Sequence, residues 1–192
     1  EKQRVLGVFP NFYTVYTPNP VPLTTGLKYK LALRTTIDPV NFAATALFAG
    51  VNQAGETPNY VEGVKGYAER FGSGYADGFT DIMFGGAILP SLLHQDPRYY
   101  YQGTGTIRSR ILHAMASPFV CKGDDGRNQF NISSIGGDLV SASISNLYYP
   151  PSNRGPGLVF EGTLLSSGGR VANALAQEFL FRHFTPSAKK QN

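Results

Sequence analysis

The stretch GVKGYAERFGSGYADG, residues 63–78, constrains this chain more than any other, because it holds five glycines in sixteen positions. Each glycine inside a helix costs about 0.5–1 kcal/mol relative to alanine. A helix here must therefore offset several kcal/mol through close packing. Tyr67, Phe71, Tyr75 and Phe79 recur every four residues as one aromatic stripe. Ala68, Gly72 and Ala76 form a small-residue line beside it, and Gly74 and Gly78 follow a third. This period predicts a helix from about Val61 or Glu62 whose backbone lies close to its neighbours.

The same spacing recurs in three other segments. Ala46, Gly50 and Ala54 step by four, as do Gly137, Ser141 and Ser145, and Gly168, Ala172 and Ala176. Such edges let helix backbones approach closely and are characteristic of helix interfaces in lipid, although soluble bundles also use them. The expected helix-packing positions are Ala46, Gly50, Gly72, Gly74, Gly78, Gly137, Gly168 and Ala172.

Further elements follow from local signals. The opening VFPNFYTVYTPNPVPL has prolines and aromatics but no helical period, so residues 1–23 read as an extended arm lying across other surface. TTGLKYKLALRTTI reads as a helix with Leu27, Leu31 and Leu33 facing inward. A second helix begins at Pro39, capped by Asp38, and runs to about Gln53. TIRSRILHAMASPFV, residues 106–120, places Ile107, Ile111, Leu112 and Met115 on one side and Arg108 and Arg110 on the other. Asn131 caps the next helix, and YYPPSNRGPG is a connector. No stretch reads as a strand. The expected class is all-α: a compact bundle of about five to seven Gly/Ala-rich helices over residues 24–184, with a flexible tail over 185–192.

Composition narrows the function classes. Charged residues are 16% of the 192, well below the usual share of about 25% for soluble proteins, which points to a membrane or a large partner. The net charge of +4 is scattered, so a concentrated nucleic-acid-binding face is not expected. A single cysteine, Cys121, excludes an intrachain disulfide and a cysteine-based metal cluster. The chain starts at Glu1 without a leader, as a processed product would. No apolar run reaches the length of about 18 residues expected of a conventional membrane-spanning helix.

LLHQDPRYYYQG, residues 92–103, is the densest concentration of reactive side chains. His94 and Asp96 would lie about 200° apart on a helix, so an oriented general base is disfavoured over a helix end followed by a proline turn. His94, Asp96, Arg98, Tyr99, Tyr100 and Tyr101 remain the candidate ligand or interface residues, the tyrosines suiting a membrane interface if exposed. His94, His113 and His183 lack metal-ligand spacing, and KGDDGRNQF lacks the calcium-loop register and closing glutamate. Neither a GxSxG elbow nor a phosphate loop is present. No catalytic residue, metal or cofactor is assigned. Arg70, Asp77 and Asp81 form a wet face if their helix is in water; in lipid they would pair or line a polar cavity.

Six segments also carry a family likeness: EKQRVLGVFPNF, KLALRTTIDPVNF, GYAERFGSGYAD, FGGAILPSLLHQDPRYYYQGTG, GDDGRNQFN and ISNLYYPPSNR. They resemble the C-terminal region of an uncharacterised family of exported proteins from Acidobacteria. In that family the region often follows a signal peptide and a carboxypeptidase regulatory-like domain. The resemblance implies export to the cell envelope, in the periplasm or at the outer membrane, and brings no catalytic residues with it.

These readings favour a non-catalytic, membrane-associated subunit of a larger assembly, structural or docking, with lipid and protein partners or further copies of itself. One alternative is an accessory subunit for an apolar ligand or pigment, with His94 or His113 as axial contact. Another is an enzyme with a pocket around His94, Asp96 and Arg98.

Overall fold

The computed structural model describes residues 3–17 and 20–185. Its helices are α1 (Thr25–Thr36), α2 (Pro39–Ala54), α3 (Gly63–Met83), α4 (Leu89–Leu92), α5 (Ile107–Ala116), α6 (Ile132–Ser145), α7 (Pro156–Ala176) and α8 (Arg182–Phe184). A π-helical turn over Phe84–Ile88 joins α3 to α4, and another over Gln177–Phe181 joins α7 to α8. Local chemistry explains where several helices start. The side chains of Asp38, Thr106 and Asn131 accept hydrogen bonds from the backbone N–H of Val40, Ser109 and Ser134, at 3.0, 3.3 and 3.1 Å.

The chain is mostly helical but not all-α. Its strands are β1 (Arg4–Val5), β2 (Phe9–Pro10), β3 (Thr14–Val15), β4 (Gln95–Asp96), β5 (Tyr99–Tyr100), β6 (Val120–Gly123) and β7 (Asn128–Phe130). β1 and β2 form a hairpin, β3 runs parallel to β5, and β4, β6 and β7 form an antiparallel sheet in that order. Strands this short cannot display an alternating pattern, which is why the sequence does not announce them.

The arm lies on the bundle. Tyr99 N–H donates to Tyr13 O at 2.7 Å, Tyr101 N–H to Val15 O at 2.9 Å, and Leu6 N–H to Phe184 O at 2.7 Å. Residues 1, 2, 18 and 19 of the expected arm, and residues 186–192 of the expected tail, lie outside the described residues. Thr185, placed in the tail by its sequence, is buried and donates to Phe181 O at 2.7 Å.

The interior departs most from expectation. Buried positions are held by Lys28, Arg70, Gln95, Asp96, Asp138, Gln177 and Glu178, accompanied mainly by small residues such as Ala32, Ala49, Ala87, Ala114 and Ala174. Among the described residues no leucine, isoleucine or methionine is buried. These types are normally among the most often buried, and charged ones among the least. Leu27 and Leu33, expected to face inward on α1, are exposed, while Lys28, Ala32 and Thr36 face in. On α5 Ile107, Leu112 and Met115 are exposed, and Arg110 reaches inward to Glu178.

Buried charges persist only when paired or hydrogen-bonded, and those in this interior meet that condition. Lys28 Nζ reaches Asp124 Oδ1 at 2.7 Å and Pro90 O at 3.0 Å. Arg70 gathers the α2–α3 connection, donating to the carbonyls of Thr57, Pro58, Tyr60 and Val61 and to Gln53 and Glu62.

The small-residue edges divide into two groups. A β-carbon on Gly137 would lie 2.5 Å from Gly85 Cα, on Gly74 3.6 Å from Thr45 Cγ2, and on Gly50 3.9 Å from a Tyr67 ring carbon. Ala46 O accepts from Tyr67 Oη at 3.0 Å, so these positions seat α2 on α3 and α6 on the π turn. Gly72, Gly78 and Gly168, by contrast, have nothing within 4 Å of such a carbon, and Ala172 is exposed. Within the described residues these positions lie open, and the close packing expected of them is not made inside the chain. A four-residue period marks a helix face, but which neighbour covers that face is settled by contacts distant in sequence.

Candidate functional site

The pairing of β3 with β5 lays the arm over a cavity of about 530 Å³. Its wall includes Tyr13, Asp81, Asp96, Arg98, His113 and Arg170. Of the residues singled out in the LLHQDPRYYYQG stretch, Asp96, Arg98, Tyr99 and Tyr100 come together here. His94 does not. It has a left-handed backbone, φ 53°, just after α4. Its ring is 83% exposed, with Nδ1 3.7 Å from Asp124 Oδ2 at the end of the β4–β6 pairing.

Asp96 is the centre of a closed set of hydrogen bonds. Arg98 Nε donates to Oδ1 at 2.9 Å and Nη2 to Oδ2 at 2.6 Å, while Tyr100 Oη donates to Oδ2 at 2.8 Å. The Arg98 backbone N–H adds a bond to Oδ1 at 3.0 Å, which is the proline turn expected at this position. Burial opposes the charged Arg98, but the bonds and charge of Asp96 outweigh it and raise its pKa. Burial first, and then the Asp96 charge, push the Tyr100 hydroxyl above its ordinary range and the neighbouring Cys121 thiol up to about 11. A thiol held that high is an inert one.

The tyrosine triplet is half-buried, so the exposure on which a membrane-interface role depends is only partial. Tyr99 Oη donates to Glu178 Oε2 at 2.7 Å, and Tyr101 Oη accepts from Arg182 at 3.3 Å. Glu178 also accepts from Arg110 Nε at 2.8 Å and from the backbone N–H groups of Gly103 and Gln102 at 2.8 and 3.1 Å. Burial alone would raise its pKa, but Arg110, Tyr99 and the two N–H groups together hold it below the usual carboxylate value. Sequence reasoning missed Glu178, because a lone glutamate in ALAQEFLF carries no local signal.

Asp77 and Asp81 are part of paired networks. Asp77 accepts hydrogen bonds from Tyr148 and Tyr149, and Asp81 from Arg170 at 3.0 Å. Asp81 lines both the cavity under the arm and a second one beyond it.

Chemically the site is a cage of satisfied charges. Asp96 and Glu178 are each bound to a guanidinium and to one tyrosine hydroxyl, so both carboxylates are already engaged within the chain. His113 has Nε2 2.7 Å from Tyr100 O, so that nitrogen is occupied by a backbone contact and is not free as an axial ligand. Among the described residues no three side chains of His, Cys, Asp or Glu are grouped to hold a metal ion. Comparison with protein-family models, curated proteins and solved structures yields no match.

Proposed function

We propose that the chain is a membrane-associated, non-catalytic module of the cell envelope, whose outer helix faces are covered by lipid and by the partners of a larger assembly. The observation that carries this reading is the inverted distribution of side chains. Leu47, Phe48 and Val51 on α2, Ile107 and Leu112 on α5, and Phe160, Leu164 and Leu165 on α7 are each more than half exposed, whereas charges fill the interior. Each such side chain contributes about 1.5–3 kcal/mol when removed from water. The exposed set extends over several helices, which fits a surrounding apolar medium better than one small docking patch. Among the described residues no helix is long and apolar enough to cross a membrane, and the reading requires none to do so. Placement in the cell envelope is supported by the family resemblance.

Flotation with phospholipid vesicles in a density gradient tests the proposal. The chain is expected to rise with the vesicles and to need detergent for extraction. Recovery as a soluble monomer without detergent would overturn it.

A further inference from the structure

Arg108 lies exposed in the first turn of α5, and its side chain forms no ion pair or hydrogen bond among the described residues. A cation there gains nothing from the helix dipole, which favours negative charge at that end. Its neighbours on the helix surface are apolar. At about 100° per residue, Ile107, Ile111, Leu112 and Met115 fall with Arg108 inside one arc of about 140°, and all five are exposed. The other side of the helix carries Arg110, which is paired with Glu178.

The apolar face does not stop at the helix. The chain runs from α5 through exposed Phe119 to exposed Val120 at the start of β6, and Val120 is paired across the sheet with exposed Phe130. Lys122 is half-exposed on the same side of β6 as Val120. It too forms no side-chain ion pair or hydrogen bond among the described residues. Residues 97–123 contain no aspartate or glutamate. Of the lysines and arginines in that run, Arg98 and Arg110 are matched by Asp96 and Glu178, which leaves Arg108 and Lys122 uncompensated.

We propose that the α5–β6 face docks on a bilayer surface containing anionic phospholipid, with Arg108 and Lys122 on lipid phosphates and the apolar side chains beneath them. This rests on the membrane association proposed above, and adds the face and the lipid chemistry. Charge complementarity selects the occupant. Apolar side chains alone would suit any apolar partner, whereas apolar side chains interleaved with unmatched cations suit a layer that presents phosphate above hydrocarbon. A guanidinium also bonds two phosphate oxygens at once. The other exposed helix faces lack this combination. That of α2 has no charged residue, that of α7 carries exposed Glu161, and that of α1 offers Lys30, its Arg34 being stacked on Phe12.

The chain contains no tryptophan, so Leu112→Trp in the full chain gives a single fluorophore on this face. Its emission is followed on adding vesicles of phosphatidylcholine, or of an equimolar mixture with phosphatidylglycerol, and flotation of the unsubstituted chain is measured on both. Tighter partitioning to the anionic vesicles, weakened by salt, and a blue shift of the emission are expected. Arg108→Gln and Lys122→Gln should each lower partitioning to anionic vesicles about fivefold and leave that to neutral vesicles unchanged. Equal flotation of the unsubstituted chain on both vesicles would overturn this inference and leave the membrane association standing, whereas flotation on neither would overturn both. Anionic selectivity with no emission shift would overturn the assignment to α5. Emission already blue-shifted before vesicles are added would show the face covered by a second copy and overturn it equally. The lipid comparison is read on the unsubstituted chain, so it does not depend on any variant folding.

Discussion

Gly137 of α6 meets Gly85 of the π turn backbone to backbone: a β-carbon on Gly137 would lie 2.5 Å from Gly85 Cα and 2.6 Å from Gly85 N. Neither obstacle is a side chain that can swing aside. Gly137→Ala is therefore expected to destabilise the fold by about 1–3 kcal/mol, the usual cost of overpacking. Gly168→Ala on α7 meets nothing within 4 Å and is expected to stabilise by about 0.5–1 kcal/mol. Denaturant unfolding of the two variants under identical conditions checks the contrast, and equal effects would remove the distinction drawn between the two edges.

Arg70 holds four backbone carbonyls, Gln53 and Glu62 at once. Arg70→Met keeps the bulk of the stem but strips the donors from a buried site. A loss of about 3–5 kcal/mol is expected, with Arg70→Lys intermediate because one ammonium cannot reach every acceptor. Hydrogen exchange should show early opening of residues 55–62; protection there equal to that of the unsubstituted chain would contradict the assigned role.

Glu178 and Asp138 should give opposite pH dependences. The folded Glu178 carboxyl lies below its unfolded value of 4.5, so its contribution is present above that pH and is lost as pH falls through the lower, folded value. Burial raises Asp138 from 3.8 to about 7, so its contribution is full below 3.8 and is lost as pH rises through about 7. Thermal melts across pH should show the fall between 3.8 and about 7 flattened in Asp138→Asn, and the acid-side loss reduced in Glu178→Gln.

Leu164 and Leu165 on α7 are 73% and 69% exposed, so charge can be placed there without disturbing the interior. Leu164→Lys is expected to reduce vesicle partitioning about tenfold or more while leaving unfolding stability within about 0.5 kcal/mol. Undiminished flotation would show that α7 does not face lipid.

Much of the helical skeleton was legible because its signals are local. Asp38 before Pro39, Thr106 before the α5 apolar residues and Asn131 before α6 each act within three residues of a helix start. The proline turn at Asp96 is equally short in range. The candidate site was only partly legible. Asp96, Arg98 and the tyrosines lie in one segment, but Glu178, which accepts from Tyr99 and is itself held by Arg110, lies 79 residues from Tyr99 and carries no motif.

From its sequence alone, then, this protein's helix starts, its connectors and its sparing use of charge can be read, since each depends on hydrogen bonds or propensities spanning a single turn. Which face of each helix turns inward was decided only by the tertiary structure. Leu27 and Leu33 of α1 lie outside because Lys28 finds Asp124, 96 residues on, and Leu112 of α5 because Arg110 finds Glu178, 68 residues on. An amphipathic period shows that a helix has two unlike faces; long-range ion pairs, and the medium that meets the other face, select which one is buried.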